Sequence, residues 1–398
     1  MNRRFFSQLL TLGAGLFAAR STGATDTNDR AELTDPAHSA APSNLPVTVS
    51  DFVAQAAARL PRASFEYVTT GSEDEVTLRD NVKAFRRIRV LPPLLHGVST
   101  TDLSTTVLGQ KISMPVLLAP VAALRMLHPQ GVLASARAAA RANTICAASS
   151  SALNGVEEIA QASDGPKWLQ LYVPRRRDVA QRLVARAEAA GFSAIVVTVD
   201  LGERKDADLR NRFTVPKDML LKHLRDIGYT HLTDQSSHIE LIEFNAAAWD
   251  ISLNMDFFKW LRGMTTLPIL LKGVLSADAA RQAVDLGLNG IVVSNHGGRR
   301  LDGMPASIDV LSDVAQAVDG EIEILMDGGI RRGGDVMKAL ALGAKAVMIG
   351  RPQAWALAAG GEAGVIRVLD ILRDELTNAM IASGCSSVES VNSSLLRT

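Results

Sequence analysis

The chain has 398 residues, of which 47% are hydrophobic and 21% charged, with 30 glycines, 15 prolines and 2 cysteines. This composition excludes disordered, collagen-like and disulfide-rich proteins. Lys plus Arg and Asp plus Glu both number 42, so the formal net charge is zero and a nucleic acid partner is not expected. Cys146 and Cys385 lie far apart without a Cys/His cluster, so no metal site is predicted.

The N-terminus has the layout of a bacterial export signal. The pair Arg3-Arg4 precedes an apolar run and then a cluster of small residues. The apolar run is about half of the ~20 residues that span a bilayer, so a membrane anchor is the weaker interpretation. Adjacent arginines favour twin-arginine export to the periplasm; an incidental basic N-terminus on a cytoplasmic protein is the alternative. We predict a signal peptide at 1–24, a polar linker at 25–46 and one folded domain at 47–390.

Beyond the linker, short β-branched runs alternate with Ala-rich helical stretches, as in a parallel sheet joined by helices. Strands are predicted at 115–119, 144–148, 168–173, 194–199, 269–272, 290–294, 323–326 and 346–349. Helices are predicted at 132–143, 179–190, 277–286, 308–318 and 333–342. Eight such units favour a closed (β/α)8 TIM barrel over an open doubly wound sheet. The connection over 201–267 is too long for an ordinary loop and is expected to cover the barrel mouth.

The loops after the seventh and eighth predicted strands combine glycines with arginines. Gly328, Gly329 and Gly350 allow backbone N–H groups to approach a ligand, and Arg331 and Arg351 supply positive charge. TIM barrels commonly bind phosphate at this place, so the pattern predicts a phosphate cradle. The alternative is that the glycines only form turns and the arginines lie on the surface.

His296 directly follows the sixth predicted strand, with Arg299 three residues later and Asp200 at the end of the fourth strand. A histidine paired with a carboxylate beside a cation suits a general base for an anionic substrate. A structural histidine is the alternative. Lys272 ends an apolar strand, where an ammonium needs an anionic partner, so we expect it to face a cofactor or substrate. The alternative is a lysine that extends from the barrel rim into solvent.

These residues lie in motifs that resemble the FMN-dependent α-hydroxy-acid oxidase/dehydrogenase family, which includes glycolate oxidase, lactate oxidase and mandelate dehydrogenase. The resemblance extends over 47–389. It is carried by Tyr67-x-x-x-Gly71-x-Glu73-Asp74-Glu75, Ala119-Pro120-Val121-Ala122, Gln170-Leu171-Tyr172, Thr198-Val199-Asp200, Ser294 through Arg299, Asp327 through Arg332, and Gly350-Arg351-Pro352. It implies a TIM barrel with an N-terminal extension and a long loop after strand four, bound FMN, and oxidation of an L-2-hydroxy acid, such as lactate, to the 2-oxo acid.

The resemblance also implies a role for each site residue. His296 accepts a substrate proton, Asp200 supports the charged imidazole, Arg299 binds the substrate carboxylate, and Tyr67 and Tyr172 add hydroxyl hydrogen bonds. Outside the family, each tyrosine would more often be a rim or core aromatic. The implied FMN-binding residues are Pro120, Val121, Ala122, Ser149, Gln170, Thr198, Lys272, Ser294, Asp327, Gly328, Gly329, Ile330, Arg331, Gly350 and Arg351. Among them, Lys272 is expected to stabilise reduced flavin.

Two positions depart from the family pattern. The segment that carries the second carboxylate-binding arginine is one residue longer, so either Arg204 or Lys205 occupies that place, and Arg204 is our choice. A lysine would offer a point charge in place of a bidentate fork. Ser151 stands where glycolate oxidase often has a bulky aromatic residue, which predicts a roomier pocket than glycolate needs.

The sequence is compatible with more than one electron acceptor, reaction route and assembly. Oxygen, a quinone or a small redox protein could accept the electrons, and both hydride and carbanion routes fit. Homo-oligomers such as tetramers are implied by the resemblance, and the Ala-rich faces of 132–143 and 179–190 are expected to be exposed for subunit contacts. A non-redox FMN barrel isomerase and a flavin-binding protein without turnover are the competing functions. Turnover of a 2-hydroxy acid would exclude both.

Overall fold

The computed structural model describes residues 45–200 and 213–397. The predicted signal peptide, most of the predicted linker, and the alternatives Arg204 and Lys205 lie outside the described residues. Among the helices that can be examined in these two ranges, none is both long and apolar enough to cross a membrane.

Eight parallel strands close into a barrel, which confirms the predicted TIM-barrel fold. The described residues form twelve strands in all, and those outside the barrel make short two-stranded sheets. In chain order they are β1 (Arg89–Val90), β2 (Thr105–Val107), β3 (Gln110–Ile112), β4 (Val116–Leu118), β5 (Cys146–Ser149), β6 (Lys167–Leu171), β7 (Ala194–Thr198), β8 (Ile269–Val274), β9 (Gly290–Val293), β10 (Glu323–Asp327), β11 (Ala346–Ile349) and β12 (Leu396–Arg397). Strands β4 to β11 pair in sequence, and β11 pairs with β4 to close the ring. All eight predicted strands are present, with small differences at their ends.

Helices surround the barrel and extend before and after it. They are α1 (Asp51–Arg59), α2 (Arg62–Thr69), α3 (Val76–Arg87), α4 (Val132–Arg141), α5 (Val156–Gln161), α6 (Arg177–Ala189), α7 (Lys217–Ile227), α8 (His238–Ala247), α9 (Asp256–Arg262), α10 (Ala277–Asp285), α11 (Ser307–Val318), α12 (Gly333–Ala341) and α13 (Arg351–Ala382). The five predicted helices correspond to α4, α6, α10, α11 and α12. Helix α13 bends at Gly360 and Gly361, where the backbone leaves helical geometry.

The expectation that the Ala-rich helix faces are exposed is wrong for α4, whereas α6 exposes Ala185 and Ala189. Ala134, Ala136 and Ala138 of α4 are at most 1% exposed, and Ala180 and Ala187 of α6 are fully buried. Helix α4 packs against α13 of the same chain. Small side chains on these helices serve close packing within the subunit, because an alanine face lets two helices approach closely.

The barrel interior is filled by side chains from alternate strand positions. They include Leu117, Trp168, Val196, Leu270, Val292 and Met348. The hairpin of β2 and β3 adds Val107 and Ile112 to the same cluster, and the backbone N–H of Leu108 donates to the carboxylate of Glu323, the first residue of β10. The hairpin therefore covers the amino-terminal end of the barrel, and the opposite end is left for function.

The N-terminal helices connect to the loop that carries His296. The backbone N–H groups of Val76 and Thr77, at the start of α3, donate to the carboxylate of Asp302 at 3.0 and 2.8 Å. This carboxylate caps a helix whose first N–H groups have no partner within the helix. The loop after β9 and helix α3 are thereby held together at the carboxyl end of the barrel.

The long connection after β7 folds partly into helices. Its described part contains α7, α8 and α9, and α7 and α8 share a small core that includes Leu220, Leu224 and Leu241. Ser237 and Glu240 form a capping box at the start of α8, with reciprocal hydrogen bonds of 3.2 and 2.7 Å. This unit lies beside the barrel mouth, where it contributes to a cavity wall.

Candidate active site

A cavity of about 610 Å³ opens at the carboxyl ends of the barrel strands. Its floor contains Lys272 and His296, which come from β8 and from the loop after β9. Its outer wall includes Phe213, Leu220 and Trp249 from the long connection. The cavity lies at the end of the barrel where the sequence predicts the site, since parallel strands bring their carboxyl ends to one edge.

His296, Asp200 and Tyr172 lie together at this floor. The Nδ1 atom of His296 is 2.9 Å from Oδ1 of Asp200, and its Nε2 atom is 3.2 Å from the Tyr172 hydroxyl oxygen. Because an ionised carboxylate only accepts hydrogen bonds, we assign the imidazole proton to Nδ1. The lone pair on Nε2 then faces the cavity. This pairing of His296 with Asp200 is the one that the sequence suggests.

Burial is the main reason that His296 is neutral. Burial lowers the pKa of His296 to about 4; Asp200 opposes this shift, whereas Arg300 and Lys272 add to it. Burial alone would raise the pKa of the Asp200 carboxyl, but His296, Lys272 and Arg300 outweigh burial and hold that pKa below its usual value. A neutral imidazole beside an ionised carboxylate is the starting state of a general base.

Two consecutive arginines border this group. The Nη1 atom of Arg299 donates to the backbone carbonyl of Tyr67 at 2.6 Å, and its guanidinium lies 4.9 Å from the centre of the Tyr67 ring. The Tyr67 ring stacks on Phe213 with 4.0 Å between ring centres. Arg299 and Tyr67 therefore form one unit on the cavity wall.

Arg300 is a site residue that sequence reasoning did not identify. Its Nη2 atom is 3.1 Å from the Tyr172 hydroxyl oxygen and 3.4 Å from Nε2 of His296. The available signal was its position four residues after His296, beside an arginine already assigned to the site. The direction of its side chain required the structure.

Lys272 lies inside the barrel and not on its rim. It is 3% exposed, and its Nζ atom is 2.7 Å from Ser294 Oγ and 2.8 Å from the carboxylate of Asp327. Ser294 Oγ in turn donates to Asp327 at 2.6 Å. Burial alone would lower the pKa of Lys272, but Asp327 and Asp200 outweigh burial and raise it. A buried ammonium lines the cavity, which excludes a rim lysine extended into solvent.

Polar side chains also join the ends of three neighbouring strands. Ser149 Oγ donates to Gln170 Oε1 at 2.7 Å, and Gln170 Nε2 donates to Thr198 Oγ1 at 2.9 Å. All three side chains are buried. Immediately after β4, the segment Pro120, Val121 and Ala122 lines the cavity. The polar side chains and this backbone segment lie beside one another. Together they can form hydrogen bonds to the edge of a planar heterocycle bound in the cavity.

The loop after β10 has the backbone shape of a phosphate cradle. Gly328 and Gly329 have φ values of +99° and +85°, which L side chains rarely adopt. A Cβ atom at Gly329 would also collide with the backbone carbonyl of Asn81. Ile330 is buried behind the loop, and Gly350 leads into the first turn of α13. Backbone N–H groups of the loop and of this helix terminus can therefore approach an anion.

The cradle also concentrates positive charge. Burial lowers the pKa of Arg331 to about 10, and burial together with the neighbouring charges of Arg299 and Arg331 lowers the pKa of Arg351 well below its usual value. Across residues 45–200 and 213–397, neither Arg331 nor Arg351 forms an ion pair. Partly buried guanidinium groups that repel one another favour a bound dianion. The residues present thus fit the phosphate of FMN, with Lys272 and the Ser149–Gln170–Thr198 chain available to its ring.

The remaining predicted positions are placed as follows. Ser151 lines the cavity. Arg204 lies outside the described residues, so the second carboxylate-binding position stays a prediction. Trp249 and Asn81 were also missed by sequence reasoning, since each meets the site only through contacts between distant segments.

Comparisons with known proteins agree with this geometry. A sequence model of the family described as FMN-dependent dehydrogenase matches residues 56–398. The chain is 48% identical to glycolate oxidase 1 of Zea mays over 346 residues, covering 86% of this chain and 93% of that relative. It is 45% identical to 2-hydroxyacid oxidase 1 of Homo sapiens over 357 residues, covering 88% and 96%. The structure of mandelate oxidase with (S)-4-hydroxymandelic acid aligns with a TM-score of 0.81 at 38% identity, covering 88% and 98%.

Proposed function

The chain belongs to the FMN-dependent dehydrogenase family, and we propose that it oxidises an L-2-hydroxy acid of the lactate type to the corresponding 2-oxo acid. It is an oxidoreductase that acts on CH–OH groups, uses FMN and oxidises 2-hydroxy acids. The family, the enzyme class and the cofactor were all predicted from the motifs, and these predictions are confirmed. The identity of the acid, the residue roles and the electron acceptor are the proposal.

One observation carries the proposal. The 2.9 Å contact between His296 Nδ1 and Asp200 leaves Nε2 facing a cavity that Arg299 also lines. A proton acceptor and a cation on the same cavity match the two polar ends of a 2-hydroxy acid, its hydroxyl and its carboxylate.

Each active-site residue has a distinct role in the proposed reaction. Arg299, together with Arg204 from the undescribed segment, holds the substrate carboxylate and thereby orients the α-carbon. Tyr172 donates a hydrogen bond to the substrate oxygen, and His296 Nε2 takes one of the two protons that the alcohol loses. Asp200 stabilises the resulting imidazolium. Bound FMN would supply the acceptor for the two electrons and the second proton that leave the substrate.

The cofactor would be held along one side of the cavity. Arg331, Arg351 and the backbone of Gly328, Gly329 and Gly350 would bind its phosphate. The residues proposed to hold its ring and side chain are Pro120, Val121, Ala122, Ser149, Gln170, Thr198, Lys272, Ser294, Asp327 and Ile330. Lys272 would place its positive charge beside the ring, where it favours the reduced, anionic state.

The cavity wall supports acids larger than glycolate. Leu220, Ile242 and Trp249 present apolar surface on the outer side, and Ser151 leaves space where an aromatic side chain would narrow the cavity. Aliphatic L-2-hydroxy acids larger than glycolate, such as lactate, lead the proposal, and the space beside Ser151 places aromatic L-2-hydroxy acids next.

Location, assembly and acceptor complete the proposal. Arg3-Arg4 before an apolar run supports twin-arginine export, so the reaction would take place in the periplasm with oxygen or a respiratory carrier as acceptor. Leu94 and Leu95 are 90% and 95% exposed on one loop, which supports contact with a second copy of the chain in a homo-oligomer such as a tetramer. The double variant R3K/R4K should block export, as fractionation of cells would show. Light scattering of the purified protein should give the mass of a tetramer.

The test is an anaerobic absorbance titration of the yellow holoenzyme with a panel of L- and D-2-hydroxy acids. One or more L-acids should bleach the visible flavin band, and the H296Q variant should retain the band without bleaching. Fast recovery of colour in air would identify an oxidase, and slow recovery a dehydrogenase. If the wild-type flavin is bound and no acid bleaches it, the proposal fails, and a non-redox or turnover-deficient flavin protein takes its place.

A further inference from the structure

Arg300 contacts the two groups that would receive the substrate hydroxyl. Its Nη2 atom lies 3.1 Å from the Tyr172 hydroxyl oxygen and 3.4 Å from His296 Nε2, and its guanidinium lies 5.7 Å from the centre of the Tyr172 ring. Arg299, the neighbouring arginine, instead contacts Tyr67. The two consecutive arginines therefore serve different parts of the site.

We propose that Arg300 is a positioning residue that holds His296 Nε2 in its unprotonated, proton-accepting form and so sets the lower pH limit of turnover. This inference rests on the proposed function, because it takes His296 as the base. The inference adds Arg300 to the active site and assigns a function to its positive charge.

Hydrogen-bond chemistry supports this role. A guanidinium has only donors and stays charged through the acidic and neutral pH range. Asp200 accepts at Nδ1, so the Nδ1–H bond is retained, while the Arg300 donor faces the other ring nitrogen. A proton on Nε2 would then point at an N–H group of the same charge. The arrangement selects the tautomer of neutral His296 in which Nε2 carries no proton.

Among the charges near His296, Arg300 is the one that opposes Asp200 through direct contact. Four groups face the imidazole in the described part of the chain: Tyr172 after β6, Asp200 after β7, Lys272 on β8 and Arg300 on the loop of His296 itself. Asp200 alone would favour a charged imidazole. The charge of Lys272 is balanced by its contact with Asp327, 2.8 Å away. Arg300 is the cation in direct contact with Nε2, and it offsets Asp200.

The first test compares holoenzymes of the wild type, R300Q and R300K. The acidic side of the kcat/KM profile reports protonation of the base in free enzyme. Removal of a neighbouring positive charge makes protonation easier, so in R300Q this limb should move to higher pH by about 1 unit. R300K keeps the charge and should keep the limb close to that of the wild type. The visible flavin band of each preparation confirms that the variant is folded and loaded.

A second readout does not require turnover. Diethyl pyrocarbonate modifies neutral imidazole, so the pH dependence of modification of the His296 peptide, followed by mass spectrometry, gives its protonation directly. The midpoint should move upward in R300Q and not in R300K. His231, in the same digest, serves as the reference for reagent decay. This measurement remains valid even if no hydroxy acid is oxidised, which separates the inference from the proposed function.

Two results would overturn the inference. The first is an unchanged midpoint and an unchanged acidic limb in R300Q. The second is a shift in R300K as large as that in R300Q, because the positive charge would then have no part in holding Nε2 unprotonated.

Discussion

Asn81 and Asn295 exchange two side-chain hydrogen bonds, each 2.8 Å long, between helix α3 and the loop after β9. Both side chains are at most 2% exposed. Asn295 directly precedes His296, which has a φ of +58°, in the region that L residues rarely adopt. The amide pair therefore holds the base in a backbone conformation that it would not adopt by itself.

The variant N81A should lower both stability and turnover. It leaves part of the buried Asn295 amide without its partner, which costs about 1–3 kcal/mol in the free energy of unfolding. The His296 loop also loses a constraint, so kcat should fall more than KM rises. Urea unfolding and stopped-flow flavin reduction measure the two effects. K83A, an exposed position on the same helix, is the control; equal behaviour of the two variants would show that the amide pair has no such role.

Because of buried His223, we expect the free energy of unfolding to fall in acid. It is 3% exposed on α7, and burial lowers its pKa to about 4. In the unfolded chain its pKa is about 6.5, so the unfolded state binds more protons between these values and stability falls as pH drops through that window. The contribution is fully present above pH 6.5. From pH 7 to pH 5 it amounts to about 2 kcal/mol.

The variant H223L removes this titration while it retains apolar packing. Its free energy of unfolding should therefore fall less than that of the wild type between pH 7 and pH 5, as measured by urea unfolding. Between pH 7 and pH 8 the difference between the two proteins should stay constant. Parallel curves through the acidic range would contradict the neutral, buried state of His223.

Arg331 should control the affinity for FMN. Replacing a charge-assisted phosphate contact by a neutral one costs about 1.5–3 kcal/mol, so R331Q should bind FMN about 10–100-fold more weakly. Quenching of FMN fluorescence on addition of apoprotein measures this. The adjacent R332Q is the matched control, because Arg332 pairs with Glu375 at 2.5 Å and lies outside the cradle. Inorganic phosphate should raise the Tm of the wild-type apoprotein and not that of R331Q. Equal FMN affinity in R331Q and R332Q would remove Arg331 from the phosphate site.

Ser151 should set the upper size of the substrate. A tryptophan at this position fills part of the cavity, so S151W should lower kcat/KM for aromatic 2-hydroxy acids at least about tenfold relative to glycolate, by steric exclusion. S151A keeps the space and should keep the wild-type preference. Steady-state kinetics with glycolate, lactate and mandelate provide the comparison. An unchanged preference in S151W would place the substrate side chain elsewhere in the cavity.

Much of the barrel could be read from local pattern. Apolar β-branched runs that alternate with helical stretches specify parallel strands, and all eight were found, with 346–349 reproduced at both ends. Strand ends were less exact elsewhere, because the last residue of a strand depends on pairing with its neighbours; β8 extends to Val274, past the predicted end at Lys272. The exposure predicted for the Ala-rich helix at 132–143 was wrong, because composition does not reveal that α13 covers α4.

Most residues of the candidate site could also be predicted from the sequence. Five different strands carry Asp200, Lys272, His296, Asp327 and Arg351 at or near their carboxyl ends, and the topology of a parallel barrel brings such positions to one edge. This holds without knowledge of any side-chain direction. The family motifs then supplied FMN and the hydroxy acid.

The fold class, the enzyme family and the end of the barrel that carries the site thus followed from the sequence, because these depend on periodicity and on residues close to strand ends. Only the tertiary structure decided that Arg300 turns toward His296 while Arg299 turns toward Tyr67, and that Asn81 supports Asn295 from 214 positions away. Side-chain direction and long-range amide pairing depend on packing between distant segments of the chain. A local sequence pattern does not specify this packing.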